Sequence, residues 1–252
     1  MSSAFMTVGS ARLEFARWGG GVGLPILLLH EGLGSIKLWK EFPAMLASAT
    51  GREVVAWSRM GHGWSDPDTT RREPDYMHRE AALLSDVMDA LGMERAHWFG
   101  HSDGASIALI GANMHPGRVA SLTLEAPHVL VEDLTHSSIA EVAARFPQTD
   151  MGERMKRYHA DPIALFDDWS AIWLDPRFRD WNIEGLLGGI SAPALLIHGH
   201  DDQYGTLDQL DRIAAVLADT TRVELPDCRH SPHLDQQDAV IAAVCGFLND
   251  KD

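Results

Sequence analysis

Gly100-His101-Ser102-Asp103-Gly104 is a G-x-S-x-G pentapeptide set between an apolar run, Ala96-His97-Trp98-Phe99, and an uncharged stretch rich in Ala, Ile and Leu, Ala105 to Met114. Strand, tight turn and buried helix in that order describe an elbow that holds a serine at the top of a sheet. Glycines two residues to either side leave the turn room, since neither carries a Cβ to collide with the crossing backbone. Pro116 stops the helix soon after Met114 and pushes His115 out of helical angles. Ser102 is therefore the candidate nucleophile.

Working outward, strand candidates recur at Arg12-Arg17, Pro25-His30, Glu53-Ser58, Ala96-Phe99, Ser121-Glu125, Ala194-His198 and Arg222-Leu225, with helical segments between them. Such alternation predicts an α/β fold, a mostly parallel twisted sheet flanked by helices. One helix places Leu83, Leu84, Val87, Met88 and Leu91 on its apolar face, with Gly92 closing it in a left-handed cap. Leu207, Leu210, Ile213 and Leu217 repeat the pattern, as do Val240, Ile241, Val244 and Phe247. Gly19-Gly20-Gly21-Val22-Gly23 precedes a strand, not a helix N-terminus, so it reads as a turn and not a phosphate cradle.

From Val129 to Ile190 strands disappear, and Phe146, Phe166, Trp169, Trp173, Phe178 and Trp181 lie among many acidic residues. The expectation is a helical cap over 130–190, inserted into a core formed by 1–129 and 191–252. Trp169 and Trp173 either line a substrate pocket there or form the cap's own core.

A chain of 252 residues suffices for one large α/β domain with such an insertion. Lys and Arg number 21 against 36 Asp and Glu, a net charge of −15 that argues against a nucleic-acid partner and leaves solubility as the ordinary reading. Cys228 and Cys245 show neither zinc-ribbon nor redox spacing and are expected as free thiols. The first ten residues lack a basic region followed by an apolar stretch, and no run approaches the ~18 to 20 apolar residues of a membrane span. A cytoplasmic monomer or homodimer is expected, acting on a small molecule without membrane contact.

A serine hydroxyl needs a base to take its proton, and the base needs an acid to hold its tautomer. After the strand ending at His198 comes Gly199-His200-Asp201-Asp202-Gln203, with two carboxylates on a loop at a strand's carboxyl end; Asp202 is the assigned acid and Asp201 its rival. After Arg222-Leu225 comes Pro226-Asp227-Cys228-Arg229-His230-Ser231-Pro232-His233, again where open sheets put their sites. His230 is the assigned base; His233 lies farther from the strand end and is expected to be hydrogen-bonded or exposed. The order Ser102, Asp202, His230 is the one that accompanies G-x-S-x-G elbows.

On these residues the sequence resembles α/β-hydrolase-fold serine hydrolases of the esterase type over essentially its whole length, and the family's G-x-x-D pattern also falls on Asp202. The resemblance implies a carboxylic ester of small to medium size, cleaved through an acyl-Ser102 intermediate with no cofactor. It implies an oxyanion hole made by the backbone N–H of Asp103 and, from the family's H-G-x loop, that of Gly32, with Leu33 the neighbouring alternative. Here the sequence departs from the pattern, because Glu31 stands where the first glycine is usual. Glu31, Leu33, Asp103, Trp169 and Trp173 are the candidate substrate-binding residues. Arg59-Met60-Gly61-His62-Gly63-Trp64-Ser65 matches the family's R-x-G-x-G-x-S turn and is given a structural role.

Asp103 has two readings. At a helix start its charge meets the helix dipole, worth about 0.3 to 1 kcal/mol; alternatively its carboxylate faces the pocket and selects cationic acyl groups, as the resemblance to esterases with Ser-Asp-Gly elbows suggests. His101, His62, His128 and His159 are expected as satisfied structural histidines near the pocket. His198-Gly199-His200-Asp201-Asp202 shares H-x-H-x-D with dinuclear metallohydrolases, but Gln203 stands where the next histidine belongs, so no metal is expected. On the same triad a lactonase, an amidase or a hydrolase of carbon–carbon bonds remains open, as does a non-catalytic small-molecule receptor on this scaffold.

Overall fold

A computed structural model describes residues 3–21, 23–249 and 251. Among these, eight strands form a single sheet: β1 (Ala4–Val8), β2 (Ala11–Trp18), β3 (Ile26–Leu29), β4 (Val54–Trp57), β5 (Ala96–His101), β6 (Val119–Glu125), β7 (Ala194–Gly199) and β8 (Thr220–Leu225). Their spatial order is β1-β2-β4-β3-β5-β6-β7-β8. The β1–β2 and β2–β4 pairs are antiparallel and every other pair is parallel. All seven expected strands are present. The eighth, β1, is an edge strand joined to β2 through Gly9 at φ 59, and its outer side chains are exposed, so it lacks the apolar signal of the central strands.

Alternation along the central strands splits the core into two layers. Ile26 and Leu28 of β3, Val54 and Ala56 of β4, and Leu195 and Ile197 of β7 face a cluster that includes Phe42 and Leu46 of α1 (Phe42–Thr50) and Val240, Val244 and Phe247 of the C-terminal helix Gln237–Leu248. Leu27, Leu29, Val55, Trp57 and Leu196 face the other way, onto α2 (Tyr76–Ala90) and α3 (Asp103–Met114). Helix α2 ends as expected, with Gly92 at φ 72, but Leu83 is a correction: it is 41% exposed while Leu84, Val87 and Met88 are buried. Position 84 faces the sheet through the 84/87/88/91 stripe, and 83, a turn of 100° away, falls at its outer margin.

Between β6 and β7 lie α4 (Asp133–Arg145), α5 (Met151–Met155), α6 (Pro162–Trp173) and the short α7 (Glu184–Leu187). Helix α6 starts where Asp161 accepts the Ala164 N–H at 3.0 Å, with Pro162 in the first turn, an ordinary capping arrangement. Leu165, Phe166, Trp169, Ile172 and Trp173 are its buried residues. The segment is fastened to the loop after β4: the Ala160 N–H donates to the Gly63 carbonyl at 2.9 Å, the Gly63 N–H to His159 Nδ1 at 3.0 Å, and Arg72 pairs with Asp168 at 3.0 Å. Three further helices follow β7: α8 (Asp208–Ala214), α9 (Pro232–Asp235) and α10, the Gln237–Leu248 helix. Gly19, Gly20 and Gly23 have positive φ, as a turn before β3 requires; Val22 lies outside the described residues. No helix among the described residues is long and apolar enough to cross a membrane.

Candidate active site

Strand β5 runs straight into α3 with one residue between them, and that residue, Ser102, has φ 53 and ψ −118. A side chain is rarely held there, and the surrounding packing enforces it. A Cβ at Gly104 would strike the Leu29 carbonyl and one at Gly100 the backbone of Gly104 and Ala105, so both glycines are required by close approach. The Ser102 N–H donates to the Glu125 carbonyl at 2.9 Å, tying the elbow to β6.

Three of the expected residues meet. Ser102 Oγ donates to His230 Nε2 at 2.9 Å, and His230 Nδ1–H donates to the Asp202 carboxylate at 2.8 and 2.9 Å. Asp202 Oδ1 also accepts the N–H groups of Tyr204 at 2.8 Å and Gly205 at 3.3 Å. Burial would raise the Asp202 pKa, but the His230 charge and these donors more than offset it and hold the carboxyl well below its usual range. Burial would lower the His230 pKa; Asp202, then Glu31 and Glu125, reverse the sign and leave it above the ordinary imidazole value. Asp201, the rival acid, is exposed. His233 is buried on Glu125, with Nδ1 to Oε2 at 2.6 Å, away from Ser102.

The loop after β3 carries Glu31, Gly32 and Leu33 to the same place. The Leu33 N–H is taken by Glu31 Oε2 at 2.5 Å, whereas no acceptor holds the N–H of Gly32 or of Asp103 among the described residues. That leaves a pair of donors of the kind an oxyanion needs. The Arg59 guanidinium grips this loop from behind, donating to the carbonyls of His30 at 2.9 Å and Glu31 at 3.0 Å. The R-x-G-x-G-x-S turn thus braces the donor loop. Burial raises the Glu31 pKa, the Leu33 N–H opposes this, and the Asp103 charge adds to the rise. Asp103 is itself buried, and its Oδ2 accepts the Tyr76 hydroxyl at 2.8 Å.

A cavity of about 370 Å³ opens on Ser102, lined below by Glu31, Gly32, Leu33, Asp103 and His230. Its upper wall carries the apolar and aromatic Ile139, Met151, Met155, Trp169 and Trp173, together with Thr135, Arg154 and Tyr158. Trp169 and Trp173 are both packed and pocket-lining, so neither of their two sequence readings excludes the other. His101 and His128 line the cavity, and burial holds both imidazoles neutral, His128 down to about 3. His62 and His159 lie against the loop after β3, at Gly32 and Leu33 respectively. His200 turns outward to Glu224 at 3.1 Å, whereas His198 Nε2 lies 3.3 Å from Asp202 Oδ2. Cys228 and Cys245 are free.

Tyr76, Tyr204 and the Glu125–His233 pair were not among the expected site residues. Glu125 carried a usable signal, a charged residue closing a β-strand at the sheet's carboxyl edge; Tyr76 carried none, since only the tertiary fold brings the start of α2 to Asp103.

This fold and this geometry have relatives. Residues 25–161 match the alpha/beta hydrolase fold family, and the chain belongs to it. It is 27% identical over 256 residues to "Serine hydrolase BPHL" of Mus musculus, spanning 98% of this chain and 87% of that protein. It is 24% identical over 277 residues to a 2-hydroxy-6-oxononadienedioate/2-hydroxy-6-oxononatrienedioate hydrolase of Comamonas testosteroni, spanning 98% and 96%. In shape it is similar to the crystal structure of a membrane phospholipase A called a novel bacterial virulence factor, with a TM-score of 0.82 at 21% identity over 98% of this chain and 86% of that one.

Proposed function

We propose that the protein is a serine hydrolase that cleaves small to medium carboxylic esters through an acyl-Ser102 intermediate. The observation that carries the reading is the 2.9 Å contact from Ser102 Oγ to His230 Nε2, next to two N–H groups with no acceptor of their own. His230 takes the Ser102 proton as the hydroxyl attacks the acyl carbon; Asp202 keeps His230 in the Nδ1–H tautomer and balances the imidazolium that forms. The N–H groups of Gly32 and Asp103 hold the oxyanion, a donor of this kind contributing about 2.7 to 4 kcal/mol. His230 then returns the proton to the leaving alcohol and activates the water that releases the acid.

Segment 130–190 serves in this reading as a cap that keeps solvent from the acyl-enzyme and shapes the acyl pocket. The Asp103 carboxylate, buried at the cavity floor, favours substrates with a cationic acyl group. A second reading, cleavage of a carbon–carbon bond next to a ketone, is favoured by the similarity to the Comamonas testosteroni hydrolase and uses the same residues.

The test is a serine-directed fluorophosphonate with the adduct located by mass spectrometry, followed by esters of graded acyl length and a 2-hydroxy-6-oxo-dienoate. An adduct at Ser102 and turnover of esters are expected. A folded protein that takes no adduct at Ser102 overturns the reading, and turnover of the dienoate alone moves it to carbon–carbon cleavage.

A further inference from the structure

A second histidine–carboxylate pair lies beside the first and faces no part of the cavity. Glu125, the last residue of β6, is wholly buried, where an unpaired carboxylate would be costly. Its two oxygens accept the backbone N–H and the Nδ1–H of His233, each at 2.6 Å, and its carbonyl accepts the Ser102 N–H. His101 stands opposite Glu125 in the β5–β6 register and donates its Nε2–H to the His230 carbonyl at 2.7 Å. Its ring also lies 5.2 Å from that of His230 and 4.9 Å from that of His233, and Trp39 covers His233 at 4.6 Å. The loop bearing the base is thus tied at both ends, His230 to β5 and His233 to β6. The nucleophile hangs from the same two strands.

Donor atoms of His101, Glu125 and His233 all lie within 4.8 Å of one another, which invites a metal. The 2.6 Å from Glu125 Oε2 to His233 Nδ1 is hydrogen-bond spacing, whereas two ligands at Zn–N and Zn–O lengths of about 2.0 to 2.2 Å in tetrahedral array stand roughly 3.3 Å apart. A proton holds this pair.

We propose that Glu125 and His101 are positioning residues of the reaction: with His233 they clasp loop 230–233 to the ends of β5 and β6 and hold His230 Nε2 at working distance from Ser102. A buried carboxylate–imidazole pair is a poor source of stability compared with apolar packing of the same volume, so its value here lies in fixed geometry. The inference rests on Ser102 and His230 being nucleophile and base. The groups facing His230 are Asp202, His198 and Tyr204 from the β7 side, Glu31 from the β3 loop, His101 from β5, and Glu125 and His128 from β6 and the loop after it.

Glu125→Ala, Glu125→Gln and His101→Phe test it, with kcat and KM measured per fluorophosphonate-titrated site across pH, alongside amide hydrogen exchange. Glu125→Ala and His101→Phe should lower kcat per titrated site by about 100-fold, the scale of an ångström of misplacement, with KM little changed. Glu125→Gln keeps the shape and an acceptor but removes a negative charge facing His230, so kcat is largely retained and the acid limb of kcat/KM moves to lower pH. The amides of His230, Ser231 and His233 should exchange faster in Glu125→Ala. Wild-type kcat per titrated site and an unmoved acid limb in all three would reduce the pair to a folding role, even if melting temperatures fell. Unchanged protection of 230–233 in Glu125→Ala overturns the clasp whether or not the enzyme turns over esters. Absence of a Ser102 adduct in the parent speaks instead against the hydrolase reading.

Discussion

Ser102, Asp202 and His230 sit at or just beyond the carboxyl ends of β5, β7 and β8, whereas Ile139, Met155, Trp169 and Trp173 hang from short helices between β6 and β7. The first group is polar, and its members are joined to one another by hydrogen bonds of 2.8 to 2.9 Å. The second is apolar and sits among aromatic side chains that pack on one another, Phe146 on Phe166 at 3.6 Å and Trp173 on Phe178 at 5.1 Å. In the proposed reaction the first region supplies reactivity that depends on tenths of an ångström, and the second a shape that tolerates repacking. Substitutions below should therefore strike kcat, and those above should strike KM.

The largest expected effect is that of Ser102→Ala, a loss of kcat on the order of 10⁶-fold in an ester assay, with substrate affinity intact. Asp202→Asn should cost about 10⁴-fold in kcat by favouring the wrong His230 tautomer; a loss no greater than that of Asp201→Asn would break the floor assignment. Asp103→Asn should reduce kcat/KM for amino-acyl esters by roughly 10- to 100-fold, the worth of a hydrogen bond to a charged group, and leave neutral esters little changed. Equal losses on both would assign Asp103 to the helix dipole alone.

The pH profile comes next. His230 must be neutral to act as base, and its pKa is raised, so kcat/KM should fall about tenfold per pH unit below a midpoint lying above the ordinary imidazole value. A midpoint below that value contradicts the His230–Asp202 pairing. The smallest effect belongs to the upper wall: Ile139→Val removes one buried methylene, about 0.8 kcal/mol, and should shift the preference among acyl lengths about fourfold through KM. An equal change in kcat would erase the distinction between the two regions.

The same division governs how much was legible in the residues. The floor announces itself, because an elbow needs glycines at fixed offsets and an acid and base must follow strands in a set order; that Asp202 and not Asp201, and His230 and not His233, would meet Ser102 was readable. Glu31 was readable as a departure, though not that its carboxylate would occupy the Leu33 N–H and leave Gly32 free. The upper wall was readable only as helical and aromatic. An aromatic side chain at helical spacing packs or lines a cavity with the same signature, and Trp169 does both. β1 and the exposed Leu83 went astray for a related reason: at an edge strand or the margin of a helix stripe, composition no longer decides which side meets water.

Ser102 is held at φ 53 by the elbow itself. A conformation so sparsely populated costs on the order of 1 to 3 kcal/mol, and a glycine would adopt it freely at an entropic cost of about 0.4 to 1 kcal/mol in the unfolded chain. Ser102→Gly should accordingly melt at a higher temperature than the parent while catalysing nothing. Heat tolerance and readiness to react pull in opposite directions at this one residue, and the chain gives up a measure of the former on every molecule it folds.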